Sequence, residues 1–519
     1  MIIERSKNAT RNIVYGTLLK MYQIIVPFIM RTAMIYFMGV QYLGLNSLFT
    51  SILQVLNLAE LGVGSAMVYS MYKPIAMDDT ERICALMRLY KYYYRVIGIV
   101  IAIVGLLLVP LIPALVHSDL PPDVNIYVLY IIHLSATVFS YWLFAYKNAL
   151  LQAHQRNDVV SKITLVIDTC KYISQLFVLV FIKNYYAYII IVLFTQLLTN
   201  VVTAIIATKM YPKYKAEGVL QKEDTKRINQ RIRDLFTSKV GAIVVNSADT
   251  IVISAFLGLR ILAIYQNYFF VLTAIIGLVD VVFAACMAGI GNSIIVETQE
   301  KNYKDLKVFT LIIVWIAGFC ATCFLCLFQP FMSIWVGESL KLEMPAVICF
   351  STYYFIYEIN RLLNTYKDAG GIWHKDRFRP LVTAFTNLGM NLVMVQFWGI
   401  YGVLLSTVIS MLVVGMPWLL HNLFTTLFDN RFVKDYLLSL VFYLLVSTAV
   451  AAATFYICSF TNSSPWGTLF LRGLICIIFS NTVFLLIYRN LSDFTLAVML
   501  MDRITKGKIG LSKLVYRNR

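Results

Sequence analysis

Ten ionisable side chains stand inside long apolar stretches of this sequence: Lys20, Arg31, Glu60, Asp168, Lys171, Asp249, Asp280, Glu358, Arg361 and Arg472. A charge at the centre of a membrane-spanning helix costs about 2.5–3.5 kcal/mol on insertion scales, so such groups face a wet or paired interior. Asp168 and Lys171 are three residues apart on one helix face and can neutralise each other, and Glu358 and Arg361 share that spacing. Lys20 and Arg472 stand near opposite boundaries, within reach of the interface. Arg31 has no acidic residue within one turn. A guanidinium there suits a planar, bidentate anion such as phosphate; the competing reading is a structural pair with Glu60 on the adjacent helix. The spacing therefore suggests a cationic central cavity to which Arg31 and Arg361 contribute from opposite lobes. Glu60, Asp249, Asp280 and Glu358 are the acidic candidates for the cavity or for ion coupling.

Other chemistries find little support. The sequence has no GxxxxGK[ST] loop, no nucleophile elbow and no HExxH helix, and its five histidines are scattered at 117, 133, 154, 374 and 421. Cys320, Cys323 and Cys326 form a CxxCxxC run, but it lies in the unbroken apolar segment LIIVWIAGFCATCFLCLF with no other ligand nearby, so it reads as packing residues. With no fuel domain and no cofactor motif, a secondary transporter fits better than an enzyme.

The elements that must position these groups follow from composition. The chain is 60% hydrophobic and 14% charged, with a mean hydropathy of +0.74, whereas soluble domains carry roughly 25% charged residues. Lipid is the solvent for such a chain. About fourteen apolar stretches of spanning length are expected, near 12–37, 44–71, 93–115, 125–150, 159–182, 186–208, 238–257, 263–292, 308–334, 344–366, 380–398, 402–427, 435–458 and 466–488. The first is too long for a signal-peptide core and lacks a small-residue cleavage site, so it reads as a retained helix. With both termini inside, the basic residues Arg5, Lys7, Arg11, Lys73–Arg95, Lys209–Lys239, Lys301–Lys307, Lys367–Arg379 and Arg503–Arg519 gather on the cytoplasmic side. The outer side keeps Lys183, Arg260 and Lys341. The net charge of +17 is thus topological, and nucleic acid is not needed to explain it.

The longest polar segment, YPKYKAEGVLQKEDTKRINQRIR from Tyr211 to Arg233, follows six spans and reads as a linker between lobes. The expected division is a first lobe over 1–210, a linker over 211–236, a second lobe over 237–428, and two further helices with a basic tail over 429–519. An ungapped offset of 219 residues places Lys20 on Lys239, Gly39 on Gly258, and FMGVQYLG on FLGLRILA. Glu60 falls within one position of Asp280. This suggests a parallel repeat.

The opening RNIVYGTLLKMYQIIVPFIMRTAMIYFMGVQYLGLNSLFTSILQVLNLAELGVGSAMVYSMYKP resembles the N-terminus of polysaccharide repeat-unit flippases. These belong to the multidrug/oligosaccharidyl-lipid/polysaccharide exporter superfamily. The agreement lies in GxxYLGLxxLF, LxLAELGVGSAM and the Tyr-Lys-Pro exit, and the paired-lobe plan with two extra C-terminal helices extends it over the whole chain. The resemblance implies an all-α membrane protein with two six-helix lobes in a V-shaped arrangement. It implies a cargo of oligosaccharide on undecaprenyl pyrophosphate, moved to the outer leaflet of a bacterial cytoplasmic membrane for capsule, exopolysaccharide or a related polymer. Glycosyltransferases and a glycan polymerase would be partners. Arg31 and, less directly, Arg361 would hold the pyrophosphate. Sodium-binding members of the superfamily use a carboxylate on helix seven and oxygens on helices eleven and twelve. The corresponding positions here are Asp249, Asn387 with Asn391, and Val403 with Thr407. Asn391 stands where a second carboxylate would give a stronger site, so sodium coupling, proton coupling through Asp249, and no ion coupling all stay open. A multidrug extruder of the same fold and a membrane glycan polymerase are the competing functions. Helices thirteen and fourteen with Arg31 count against the first. Short outer loops poor in arginine count against the second.

Overall fold

The computed structural model describes residues 5–116, 120–461 and 463–504; the basic tail beyond residue 504 lies outside them. Every element among the described residues is helical, and the chain forms two compact units, Met1–Ala263 and Ile264–Arg519. The first holds α1 (Arg5–Phe37), α2 (Val40–Leu56), α3 (Val63–Ala76), α4 (Thr80–Leu108), α5 (Ile126–Trp142), α6 (Asn148–Ala153), α7 (Asn157–Phe177), α8 (Tyr185–Met210), α9 (Lys222–Leu257) and the start of α10 (Leu259–Val296). The second holds the rest of α10, then α11 (Gln299–Trp335), α12 (Met344–Ala369), α13 (Trp373–Asp376), α14 (Arg379–Ser410), α15 (Met416–Phe424), α16 (Val433–Ser459), α17 (Pro465–Ile475), α18 (Asn481–Tyr488) and α19 (Ser492–Ile504). The polar 211–233 segment is itself partly helical: α9 begins within it, at Lys222, and packs on α2 and α3.

All fourteen apolar stretches expected from the sequence fall on helices. Ten helical segments among the described residues are long and apolar enough to cross a bilayer, and α5 with Ala145–Ala153, bent by 49°, makes an eleventh. Large apolar side chains such as Leu107, Phe181, Phe397 and Phe470 point outward, while Thr322, Asn387, Asn391 and Ser406 are buried. That inverted pattern is what a lipid solvent selects, because a polar side chain has no partner there.

Two stretches depart from straight spans. The stretch expected at 44–71 is broken: α2 ends at Leu56, one tight turn covers Asn57–Glu60, and α3 starts at Val63. Gly62 makes the break, with φ +88, a region that side-chain-bearing residues rarely adopt. The apolar run Trp373–Phe424 is 52 residues long, about 78 Å if it were straight, and it folds back on itself. Gly399 (φ 54, ψ −131) reverses the chain within α14. The Asn387 amide then reaches the Thr407 hydroxyl at 3.0 Å across the hairpin.

Local conformation supports the internal repeat. Gly39, between α1 and α2, has φ 114 and ψ 164; Gly258, between α9 and α10, has φ 87 and ψ 170. These are the residues that the 219-residue offset superposes. Each half also buries an aspartate beside an arginine where the chain turns into a helix: Asp158 lies 2.9 Å from Arg156 at the start of α7, and Asp376 lies 2.7 Å from Arg379 at the start of α14.

The hairpin in α14 depends on close approach at Gly402, where an added Cβ would lie 2.2 Å from the Met394 carbonyl oxygen. Gly402→Ala is therefore expected to destabilise the second unit by about 1–3 kcal/mol or more. Gly389→Ala, where nothing lies within 4 Å, should be neutral or stabilise by up to about 1 kcal/mol. Thermal unfolding of the purified protein in detergent checks both.

Candidate functional site

In the first unit the break between α2 and α3 opens a polar cavity of about 350 Å³. It is lined by Gln54, Asn57, Glu60, Leu61, Gly62, Gly64, Ser65 and Ile243. Gln54, Asn57 and Glu60 recur every three residues, so their side chains share one face. Glu60 is held by tyrosines: Tyr94 on α4 donates to Oε1 at 2.5 Å, and the Tyr141 hydroxyl on α5 lies 2.7 Å from Oε2 and 3.1 Å from Asn57 Oδ1. Tyr90, one turn before Tyr94, donates to the Tyr94 hydroxyl at 2.6 Å. Both carboxylate oxygens are thus occupied by hydroxyls, and the competing expectation of an Arg31–Glu60 pair is replaced by this network. These bonds tie the break to α4 and α5.

Arg31 lies on α1, the helix that packs against α7 and α2. It is half-buried and within electrostatic reach of the Tyr188 hydroxyl on α8. Asp168 and Lys171 on α7 do neutralise each other, at 2.6 Å. Asp249, on α9, is buried in the same unit.

In the second unit Arg361 does not pair with Glu358, as their spacing on α12 suggested. Its Nε lies 2.9 Å from Asp280 Oδ1 on α10. Same-helix spacing permits a pair, as at Asp168 and Lys171, but here a carboxylate on another helix, Asp280 of α10, holds the guanidinium instead. Glu358 is left almost fully buried at 1% exposure, with Oε1 making no hydrogen bond among the described residues. The cation expected to meet substrate and an acidic candidate are therefore partners.

The α14 hairpin gathers the oxygen ligands expected for sodium in this unit. Asn387 donates to Thr407 Oγ1 at 3.0 Å, Asn391 donates to Asn387 Oδ1 at 3.4 Å, and Thr407 donates to the Val403 carbonyl at 3.3 Å. Ser406 joins them, bonding Asn391 Oδ1 and the Val403 carbonyl. Hard cations prefer such oxygen donors, and the four side chains are buried. They belong to the second unit and Asp249 to the first.

Sequence reading missed Gln54, Asn57 and the tyrosines that anchor Glu60, and it missed Ser406. A signal existed for the first group, in the three-residue spacing of Gln54, Asn57 and Glu60. The tyrosines are single polar atoms on apolar bodies and carry no such mark. Glu60→Ala removes the acceptor of two buried hydroxyls, so it should lower stability by about 1–3 kcal/mol. Glu60→Gln, which keeps one carbonyl acceptor, should lose less, and chemical denaturation of the two variants side by side measures the difference.

Comparison with known proteins places these features. No curated protein matches the chain in sequence. In fold the chain is similar to the lipid II flippase MurJ in an inward closed conformation, with a TM-score of 0.70 and 14% identity over 92% of this chain and 99% of that one. It is similar to a multidrug resistance MATE family transporter of the MOP superfamily in an inward-facing conformation, with a TM-score of 0.61 and 14% identity over 80% of this chain and 96% of that one. Those neighbours are transporters and flippases, not enzymes. A family model described as polysaccharide biosynthesis protein matches residues 9–288, which takes in α1 to α9, the broken span with Glu60, and Arg31. The chain belongs to the polysaccharide biosynthesis protein family.

Proposed function

We propose that this protein is a flippase for oligosaccharide units linked to undecaprenyl pyrophosphate. It carries them from the cytoplasmic to the outer leaflet of a bacterial cytoplasmic membrane by alternating access, for assembly of a surface polysaccharide such as capsule or exopolysaccharide. The observation that carries the reading is Arg31, an arginine held well inside an apolar spanning helix in a member of a polysaccharide family. A guanidinium offers five donors in a planar fork that matches phosphate oxygens, and a low-dielectric surrounding strengthens that match. The cavity at Gln54, Asn57, Glu60 and Ser65 supports the reading from the glycan side, because amides, carboxylates and hydroxyls are the complement of sugar hydroxyl groups. Arg361 contributes less directly, since Asp280 already holds its Nε.

The direction follows from the family resemblance, and the charge bias of the loops supports an orientation with both termini in the cytoplasm. Glycosyltransferases would supply the lipid-linked unit and a glycan polymerase would consume it. Coupling candidates are carried by both units: Asp249 in the first, and Asn387, Asn391 and Thr407 in the second, with Asp280 and Glu358 as further acidic groups. Sodium at the oxygens of the second unit is one form of coupling, and a proton on Asp249 of the first is the other. A second reading, multidrug extrusion, is favoured by the likeness in fold to the MATE transporter.

Deleting the gene in its native host separates the two. Accumulation of lipid-linked repeat units on the cytoplasmic leaflet is expected, whereas normal surface glycan with altered drug tolerance would overturn the flippase reading. Arg31→Ala should cut export at least about tenfold while the protein still reaches the membrane in normal amount. Arg31→Lys should also be impaired, because an ammonium is a point charge without the bidentate fork. Full export by Arg31→Ala would remove the pyrophosphate assignment. In proteoliposomes, Asp249→Asn should abolish export driven by an ion gradient, and Asn391→Asp should lower the sodium concentration for half-maximal export.

A further inference from the structure

The second unit brings together cysteines from three helices that lie far apart in sequence. Cys326 on α11, Cys458 on α16 and Cys476 immediately after α17 are each fully buried, and their Sγ atoms all lie within 4.8 Å of one another. Cys323, one turn before Cys326, packs against the trio. Four of the nine cysteines in the chain thus meet at one place. The CxxCxxC run alone reads as small packing residues; Cys458 and Cys476, arriving from other helices, change that reading.

Buried thiols can also pack as small apolar groups, so convergence alone does not decide the matter. Two further features do. The first is distance. A zinc ion with bonds of about 2.3 Å to each sulfur holds tetrahedral sulfur pairs about 3.8 Å apart, so the spacing found here needs only a small contraction. The second is charge. Arg472 stands one helical turn before Cys476, its Nη1 is 3.5 Å from the Cys326 carbonyl oxygen, and its Nε donates to Thr461 Oγ1 at 3.0 Å. Three thiolates with a divalent ion carry one negative charge, which this guanidinium neutralises. Arg472 therefore has a function where its position near a helix end offered only a route to the interface. Cys458 is the last but one residue of α16.

We infer that Cys326, Cys458 and Cys476 form a three-thiolate site for a divalent zinc-class ion. The ion clips the helix pair α16 and α17–α18 to α11. The ligands lose their protons to the medium on binding, and nothing is oxidised or reduced. The site is independent of how cargo is recognised in the first unit, and its failure would leave the flippase reading untouched.

The experiment is zinc loading of the full-length protein in detergent, removal of free metal, and elemental analysis. The wild type should retain about one zinc per chain. Cys326→Ser, Cys458→Ser and Cys476→Ser should each lose it, while Cys170→Ser, at an exposed cysteine of the first unit, should retain it. Equal zinc in the wild type and the triple serine variant overturns the site, as does a disulfide between any two of the three. Should the serine variants fail to fold, the wild type alone decides. Zinc should slow alkylation of Cys326, Cys458 and Cys476 relative to Cys170, as read by peptide mass spectrometry. Identical alkylation with and without zinc overturns the proposal.

Discussion

Hydrocarbon offers no hydrogen-bond partner, so each polar group that enters it must be answered from within the protein. The organisation of this molecule follows from that condition. Backbone groups are answered by making every described element a helix. Side-chain groups are answered in four different ways, according to their chemistry. Asp168 takes Lys171 on its own helix and Arg361 takes Asp280 across helices. Glu60 takes tyrosine hydroxyls from two helices, and the α14 hairpin ties its amides and hydroxyls to one another. None of these arrangements is needed for apolar packing, and each sits where a straight helix of leucines would have been more stable.

The architecture was legible because this condition writes itself into composition. Apolar runs of spanning length, separated by loops whose basic residues alternate in density, locate the fourteen helical stretches without any tertiary knowledge. The repeat was legible too, through Gly39 and Gly258, since an unusual backbone conformation leaves few choices of residue. What could not be read was the interior of a span. The stretch at 44–71 carries several polar residues that alone do not show a break, and the break depends on Gly62 turning the chain where Leu235 of α9 leaves no room for a side chain; an added Cβ would lie 2.7 Å from the Leu235 Cβ.

The candidate site divides along the same line. Residue types were legible: the charges inside spans, and the paired positions Asn387 with Asn391 and Val403 with Thr407, do lie on spans and do gather locally. Partnerships were not, unless they lay on one helix. Asp168 with Lys171 obeys the three-residue rule, whereas Glu358 with Arg361 has the same spacing and fails it. The difference is Asp280, a carboxylate 81 residues away in sequence that no local pattern connects to Arg361. Periodicity reports which face a residue occupies, and only tertiary packing reports what stands opposite.

The segment LNLAELGVGSAM shows how a motif within a spanning segment can encode shape rather than a set of reactive groups. Leu56 closes α2, Asn57 and Glu60 turn toward the cavity, Gly62 takes a conformation closed to other residues, and Gly64 leaves room for the Tyr90 hydroxyl, which a Cβ would meet at 3.1 Å. A helix broken inside a membrane exposes backbone polar groups, and such a break is tolerated only where protein or water answers them. Here the break and the cavity are one feature: the turn frees the polar groups, and the cavity is the space those groups line. Converting Gly62 to any larger residue would straighten or displace the turn and would close the cavity by the same act. The motif therefore encodes a shape, a gap in an apolar wall lined in part by Gln54, Asn57, Glu60 and Ser65.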